Sequence, residues 1–365
     1  MREQPFEAPI HPAPAAPSSR SQPRWRLALG VLMSAAILAL AFVNRAWLWD
    51  AISLARAAQP AWLLLGLATI LGSFLISSQV FQVALRALGH RAGVLRLWAT
   101  AVAAIITSQV IPAGAVGSYA FLLDSLRRRG ASSSEAALVA TLEALSYAGA
   151  MLIFALFGLA YLASRILAAD PDGSSLLAPL LAVGAVLLLL GISALLLTRP
   201  AGTLRRWLGG LNVLLARALR RPLGDAWAER AVAELVRVRG LVATLPWMLA
   251  ALVLIQLTAL CGHSLGLYFI LRSLGVSASF LTILAAFGIA LLTSTINVLP
   301  GGGGTVEAAI VAVLTQLGVG AEAVPAAILF RLINFWLMLP IAAGCYAWLA
   351  RERRGGSARE PRASR

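Results

Sequence analysis

The sequence predicts an all-α polytopic membrane protein, with six full spans plus two re-entrant or broken-helix hairpins that form an inverted repeat. Three observations carry this. Mean hydropathy is +0.84, and only 12% of residues are charged, about half the roughly 25% of a soluble domain. Apolar runs of about 20 residues recur along the chain, each enough to cross ~30 Å of hydrocarbon. Two of the apolar regions are interrupted by Pro and Gly, at Pro112–Gly117 and at Thr295–Ala308, where an ordinary span avoids both.

Residues 1–24 contain six prolines with Ala and Ser and read as a disordered tail. The apolar run Leu27–Val43 is too long for the core of a cleaved signal and follows a long polar extension, so it reads as the first span. A second span runs from about Pro60 to Leu85 and ends in a loop with Arg86, Arg91 and Arg96. The interrupted run Leu97–Leu123 then closes on Arg127, Arg128 and Arg129. Basic residues at both ends place both ends in the cytoplasm, so this run is a hairpin entering from inside. Spans at about Glu135–Ala163 and Leu176–Leu197 follow. Residues 199–246 form the longest polar segment, with nine Arg against three acids. Its first half places Trp207, Leu208, Leu211, Leu214, Leu215 and Ala218 on one helical face. That face suits either an interfacial helix on anionic headgroups or a cytosolic helix packed on the bundle. Asp225 is the expected N-cap of a second helix. Trp247–Leu271 crosses outward, Phe280–Leu317 is the second hairpin, and Ala323–Leu349 returns to a basic tail at 351–365.

The transmembrane domain is thus expected over 25–350, with one half at about 60–164, the other at about 247–350, and the amphipathic insert at 199–246 between them. All 30 basic residues are Arg, and the net charge is +15. On this topology 25 Arg lie in cytoplasmic segments, four in outer ones and one, Arg331, inside a span. The bias therefore reads as a positive-inside signal and anionic-lipid contact rather than nucleic-acid affinity. It puts both termini in the cytoplasm.

The stretch Thr295–Ala308 reads TINVLPGGGGTVEA. Pro300 and Gly301, Gly302, Gly303 and Gly304 favour an unwound chain between polar Asn297 and Glu307. Broken backbone at membrane depth persists only where protein or a water-filled cavity satisfies it. A half-helix starting near Thr305 would aim its free N–H groups at the break, which favours anions. The alternative is an exposed glycine turn. The first hairpin breaks likewise at Pro112, Gly114 and Gly117. At an offset of 188 residues Pro112 meets Pro300, Gly130 meets Gly318 and Glu143 meets Arg331. Opposite entry of the two hairpins makes this an inverted repeat, a pattern of secondary transporters.

Glu143, Glu307 and Arg331 lie inside apolar segments, where each would cost about 2.5 kcal/mol or more unless paired or hydrated. Arg331 may be read as a lock between the halves, paired to Glu143 or Glu307, or as a bidentate fork for a lipid phosphate. The carboxylates then hold Arg331 when lipid is absent, or take a cationic headgroup or a coupling proton. Ser108, Gln109, Thr295, Asn297 and Asn334 complete a polar groove or serve as interhelical hydrogen bonds. His263 and the two cysteines, Cys261 and Cys345, read as packing residues in apolar spans. No HExxH, Cys/His cluster or nucleophile–His pairing appears, so neither metal nor cofactor nor enzyme activity is expected.

The block PGGGGTVEAA, the following FRLINFWLMLP (Phe330–Pro340) and the earlier PAGAVG…LLDSLRRRG resemble the transmembrane flippase region of bacterial lysylphosphatidylglycerol synthases. The resemblance runs from about Trp25 to Arg351 and extends to stand-alone flippase-like domain proteins. It implies functional roles for Pro300, Gly301, Gly302, Glu307 and Arg331, and for Pro112, Gly114 and Glu143. The family often has a bulky apolar residue where this chain has Gly303. Its fused enzymes carry an aminoacyl-transferase domain after the membrane part; only Arg351–Arg365 follows here, so lipid aminoacylation is not expected. The resemblance implies translocation of a phospholipid or related polar lipid between leaflets, with membrane lipids, anionic ones above all, as partners and a lipid-modifying enzyme as a candidate partner. The alternatives are a secondary transporter of a small anion, and a non-catalytic scaffold or regulator of a lipid- or glycan-modification pathway.

Overall fold

The computed structural model describes residues 42, 45–110, 114–127, 131–169, 184, 188, 191, 199–219, 226–295 and 304–357. Residues 44–365 form one compact unit. The described residues are helical: α1 (Arg45–Ala57), α2 (Pro60–Ala87), α3 (Val94–Val110), α4 (Gly114–Arg127), α5 (Ser133–Ala169), α6 (Ala201–Leu219), α7 (Ala226–Thr244), α8 (Pro246–Ser273), α9 (Phe280–Thr295), α10 (Thr305–Gln316), α11 (Ala323–Arg331) and α12 (Met338–Ser357). Four stretches are long and apolar enough to cross a membrane: Pro60–Ala87, Ser133–Ala168, Pro246–Ser273 and Gly320–Leu349. They coincide with four of the six expected spans, and the protein is an all-α polytopic membrane protein. The expected spans Leu27–Val43 and Leu176–Leu197 fall almost wholly outside the described residues, as do the tail 1–24 and the residues after 357.

The repeat is visible in how elements begin and end. Helices α2 and α8 are both 28 residues long with Pro in the first turn, where a missing N–H costs nothing. Each is about 42 Å long at 1.5 Å per residue. Each ends in a left-handed glycine, Gly89 at φ 81° and Gly275 at φ 82°. At both ends the glycine N–H and the next N–H reach back to the last turn: Gly89 to Arg86 and His90 to Leu85, Gly275 to Arg272 and Val276 to Leu271. The underlying words, Leu85-Arg86-Ala87-Leu88-Gly89 and Leu271-Arg272-Ser273-Leu274-Gly275, lie 186 residues apart. A short helix pair follows each (α3 and α4, then α9 and α10), and a long helical run closes each half.

The two long helices α2 and α8 pack along each other, and they do so antiparallel. The N–H of Gln59 donates to the carbonyl of Ser273 at 2.9 Å. Trp62 stacks on Phe269 at 5.7 Å, Gly66 abuts Gly266, Ser73 abuts Gly262, and Ser77 Oγ donates to Gln256 Oε1 at 2.9 Å. Equivalent elements of the two halves thus run in opposite directions. Helix α5 packs antiparallel along α9, and its counterpart α12 packs along α3. The α5–α9 contact is a backbone-on-backbone approach: a Cβ on Gly158 would lie 2.7 Å from the Ala285 carbonyl oxygen, and one on Gly288 would meet the Phe154 carbonyl. Small residues make such approaches in membranes possible.

Helix α1 is amphipathic, with Trp49 66% and Ile52 37% exposed while Ala51 is buried; Arg56 lies over the Trp49 ring at 5.9 Å, and α1 packs on α11. In the insert, α6 turns Leu204 and Asn212 inward and leaves Trp207 47% exposed. The side chains of Leu211, Leu214, Leu215 and Ala218 lie outside the described set, as does Asp225. Arg205 and Glu229 pair at 2.9 Å across α6 and α7, both more than half exposed. Finally, the last span is not one uniform helix: a 3₁₀ turn (Gly320–Glu322) precedes α11, and a π-helical turn (Leu332–Trp336) separates α11 from α12.

Candidate functional site

Helix α10 has 12 residues, about 18 Å, so it cannot cross ~30 Å of hydrocarbon alone. It begins at Gly304, whose φ of 80° is left-handed and needs the residue without a Cβ. The Gly304 carbonyl accepts the N–H of Ala308 at 2.8 Å, and no side chain caps the turn. Glu307 therefore sits in the first turn of a half-helix, where the dipole favours a carboxylate. Across the break, Thr293 Oγ1 donates to the Ala290 carbonyl at 2.8 Å and approaches the Thr305 carbonyl at 3.4 Å.

Helix α11 runs back beside α10 after the turn at Gly318 and Gly320, both left-handed. Glu307 lies 11 residues before Gly318 and Arg331 lies 11 after Gly320, each about 16 Å along its helix. Equal depth on neighbouring helices lets them meet: Arg331 Nη1 is 2.8 Å from Glu307 Oε1, with side chains 17% and 18% exposed. The guanidinium also covers the Phe335 ring, its Cζ 4.2 Å from the centroid, a cation–π contact that strengthens with desolvation. The π turn aligns this group. The N–H of Leu337 bonds the Leu332 carbonyl at 2.8 Å, five residues back, and such bulges cluster at functional sites.

Two buried acceptors on these elements have no partner among the described residues: Glu307 Oε2, of the pair itself, and Asn334 Oδ1, three residues after Arg331. The Gln82 and Trp98 side chains, and the Gln256 amide nitrogen, also have an unsatisfied buried atom. Native interiors leave few such atoms, and each calls for a ligand, water or ion.

The structure thus selects one of the two pairings read from sequence. Arg331 joins Glu307; Glu143, on α5, makes no ion pair with a described residue, while its backbone carbonyl accepts Ser146 Oγ at 2.9 Å. Gly114 and Gly117, expected in the first break, lie instead in the first turn of α4, because glycine tolerates a helix that packing supports. Ser108 and Gln109 are on α3 and Thr295 ends α9, but their side chains are outside the described set. Pro112, Asn297, Pro300, Gly301, Gly302 and Gly303 lie outside the described residues. Sequence reasoning missed Phe335, though its i+4 spacing from Arg331 was there to be used. It also missed Gln82 and Gln256, amides conspicuous in apolar spans. His263 packs as expected, its Nδ1 donating to the Ala259 carbonyl at 3.0 Å and its ring between Phe74 and Phe287. Among the described residues no group of three or more His, Cys, Asp or Glu could hold a metal.

The family model described as the lysylphosphatidylglycerol synthase TM region matches residues 27–342. No curated protein matches the chain. The match covers most of the sequence, and the chain belongs to this family.

Proposed function

With that membership as premise, we propose that the protein is a lipid translocase, moving a phospholipid or related polar lipid between leaflets. The observation that carries the reading is the Arg331–Glu307 pair at 2.8 Å, with Glu307 in the first turn of α10 and its Oε2 unpartnered among the described residues. A guanidinium has five N–H donors, so Arg331 has capacity for a phosphate once Glu307 yields. The α10 N-terminus adds the positive end of its helix dipole. Headgroups pass along the groove between the two hairpins, which enter from opposite leaflets, while acyl chains stay in the bilayer. In this reading Glu143 and Asn334 are assigned to its further polar surface. The Arg distribution supports both termini in the cytoplasm, the resemblance to bacterial enzymes supports a bacterial inner membrane, and no covalent chemistry is assigned to the chain.

The test uses purified protein in liposomes with an acyl-labelled fluorescent phosphatidylglycerol. Wild type accelerates its movement between leaflets. Arg331→Ala slows that movement about tenfold or more, a loss of ~1.4 kcal/mol in the transition state. Transfer no faster than in empty liposomes, across several lipid classes, removes the proposal.

A further inference from the structure

We propose that Glu307 is a coupling-proton site: an anionic headgroup that takes Arg331 releases the Glu307 carboxylate, which then takes one proton, so that one proton crosses with each anionic headgroup. This rests on the reading above that Arg331 binds the phosphate.

The argument is one of charge. At rest the site holds one cation and one carboxylate, 2.8 Å apart and mostly buried, for a sum of zero. A phosphodiester adds a second anion to a site with one guanidinium. Two anions near one cation in a low-dielectric site repel, and an uncompensated buried charge is removed by neutralisation rather than tolerated. A second cation would offer another solution, and among the described residues the elements packed on α10 and α11 do not supply one at this depth. Helix α9 has no ionisable side chain, and the 3₁₀ turn beyond α10 brings only Glu322. From α8, His263 is engaged by the Ala259 carbonyl and two aromatic rings. Arg272 sits in the last turn of α8, its Nε donating to Tyr268 OH at 3.1 Å. The charges of α1 (Arg45, Asp50 and Arg56) precede Gln59, which is bonded to Ser273 at that same end of the bundle.

The receiving atom is also present. Glu307 Oε2 is buried and accepts no hydrogen bond from a described residue. A proton placed there turns an orphan acceptor into a donor. The proton comes from water on the side where the headgroup enters. It leaves on the other side when the headgroup departs and Glu307 pairs with Arg331 again. A monoanionic lipid plus one proton carries no net charge, so the cycle responds to a pH gradient and not to a membrane potential.

The experiment uses the full chain in liposomes with fluorescent phosphatidylglycerol, empty liposomes under the same gradient, and a lumenal pH dye. With wild type, one unit of pH gradient should enrich the labelled lipid in the alkaline leaflet, approaching tenfold at one proton per lipid. Protons should move with it, and a valinomycin potential alone should do neither. Glu307→Gln should abolish the enrichment, read as a steady-state ratio independent of rate; proton movement by wild type stands as evidence should that variant fail to fold. Equal leaflet distribution by a wild type that still speeds exchange would overturn the coupling and leave the translocase standing. No acceleration at all would overturn both.

Discussion

Arg331 meets two demands at once: a counter-ion in Glu307 and a ring in Phe335. Removing one member of a buried pair strands the other charge, whereas removing both does not. Glu307→Ala should therefore lower the thermal unfolding temperature in detergent more than the double change Glu307→Ala with Arg331→Met. A coupling energy of about 1 kcal/mol or more is expected, and additive losses would show that the two side chains do not lean on each other. Arg331→Lys keeps the charge but not the planar fork or the stacking on Phe335. It should slow lipid transfer nearly as much as Arg331→Ala, and full activity would argue for a point-charge role. The identity of these charges was legible, since a carboxylate and a guanidinium in apolar segments stand out. Which carboxylate holds Arg331 was not, because Glu143 and Glu307 are equally apolar in context, and only helix packing brings one of them to 2.8 Å.

At the scale of elements, the close approaches are set by glycine. Gly288→Leu on α9 would drive a side chain into the Phe154 carbonyl of α5. It should destabilise the protein by about 1–3 kcal/mol, the usual cost of overpacking, seen as a lower melting temperature or loss of a monodisperse peak. Gly72→Ala on α2 is the contrast: nothing lies within 4 Å of a Cβ there, and a change within about 0.5 kcal/mol is expected. The π turn at Leu332–Trp336 had no signature to read. An extra residue in a turn is absorbed only when neighbouring helices fix both ends, so local propensity is silent about it. Helix α1 was closer to legible: Trp49 and Ile52 fall three apart in RAWLWDAISLARA, but its 13 residues are too few to announce themselves in a hydropathy profile.

For the whole molecule, the antiparallel seam between α2 and α8 is what turns two similar halves upside down relative to each other. Arg91 and Ser277 are equivalent by the 186-residue offset and both exposed. With Cys261 and Cys345, the two native cysteines, replaced by Ala, Arg91→Cys and Ser277→Cys should react with an impermeant maleimide from opposite sides of the membrane. Labelling from one side would break the inverted relation.

The sequence by itself determined the class and the four described spans, and it singled out the residues able to carry charge in apolar segments. All of these follow from local hydropathy and backbone chemistry, which a chain carries in any neighbourhood. Only the tertiary structure decided that Glu307 and not Glu143 holds Arg331, that Phe335 lies beneath it, and that Gly114 and Gly117 stay helical. Those outcomes depend on which helices touch, at what depth and in which direction, and such long-range choices are made by packing between segments far apart in the chain.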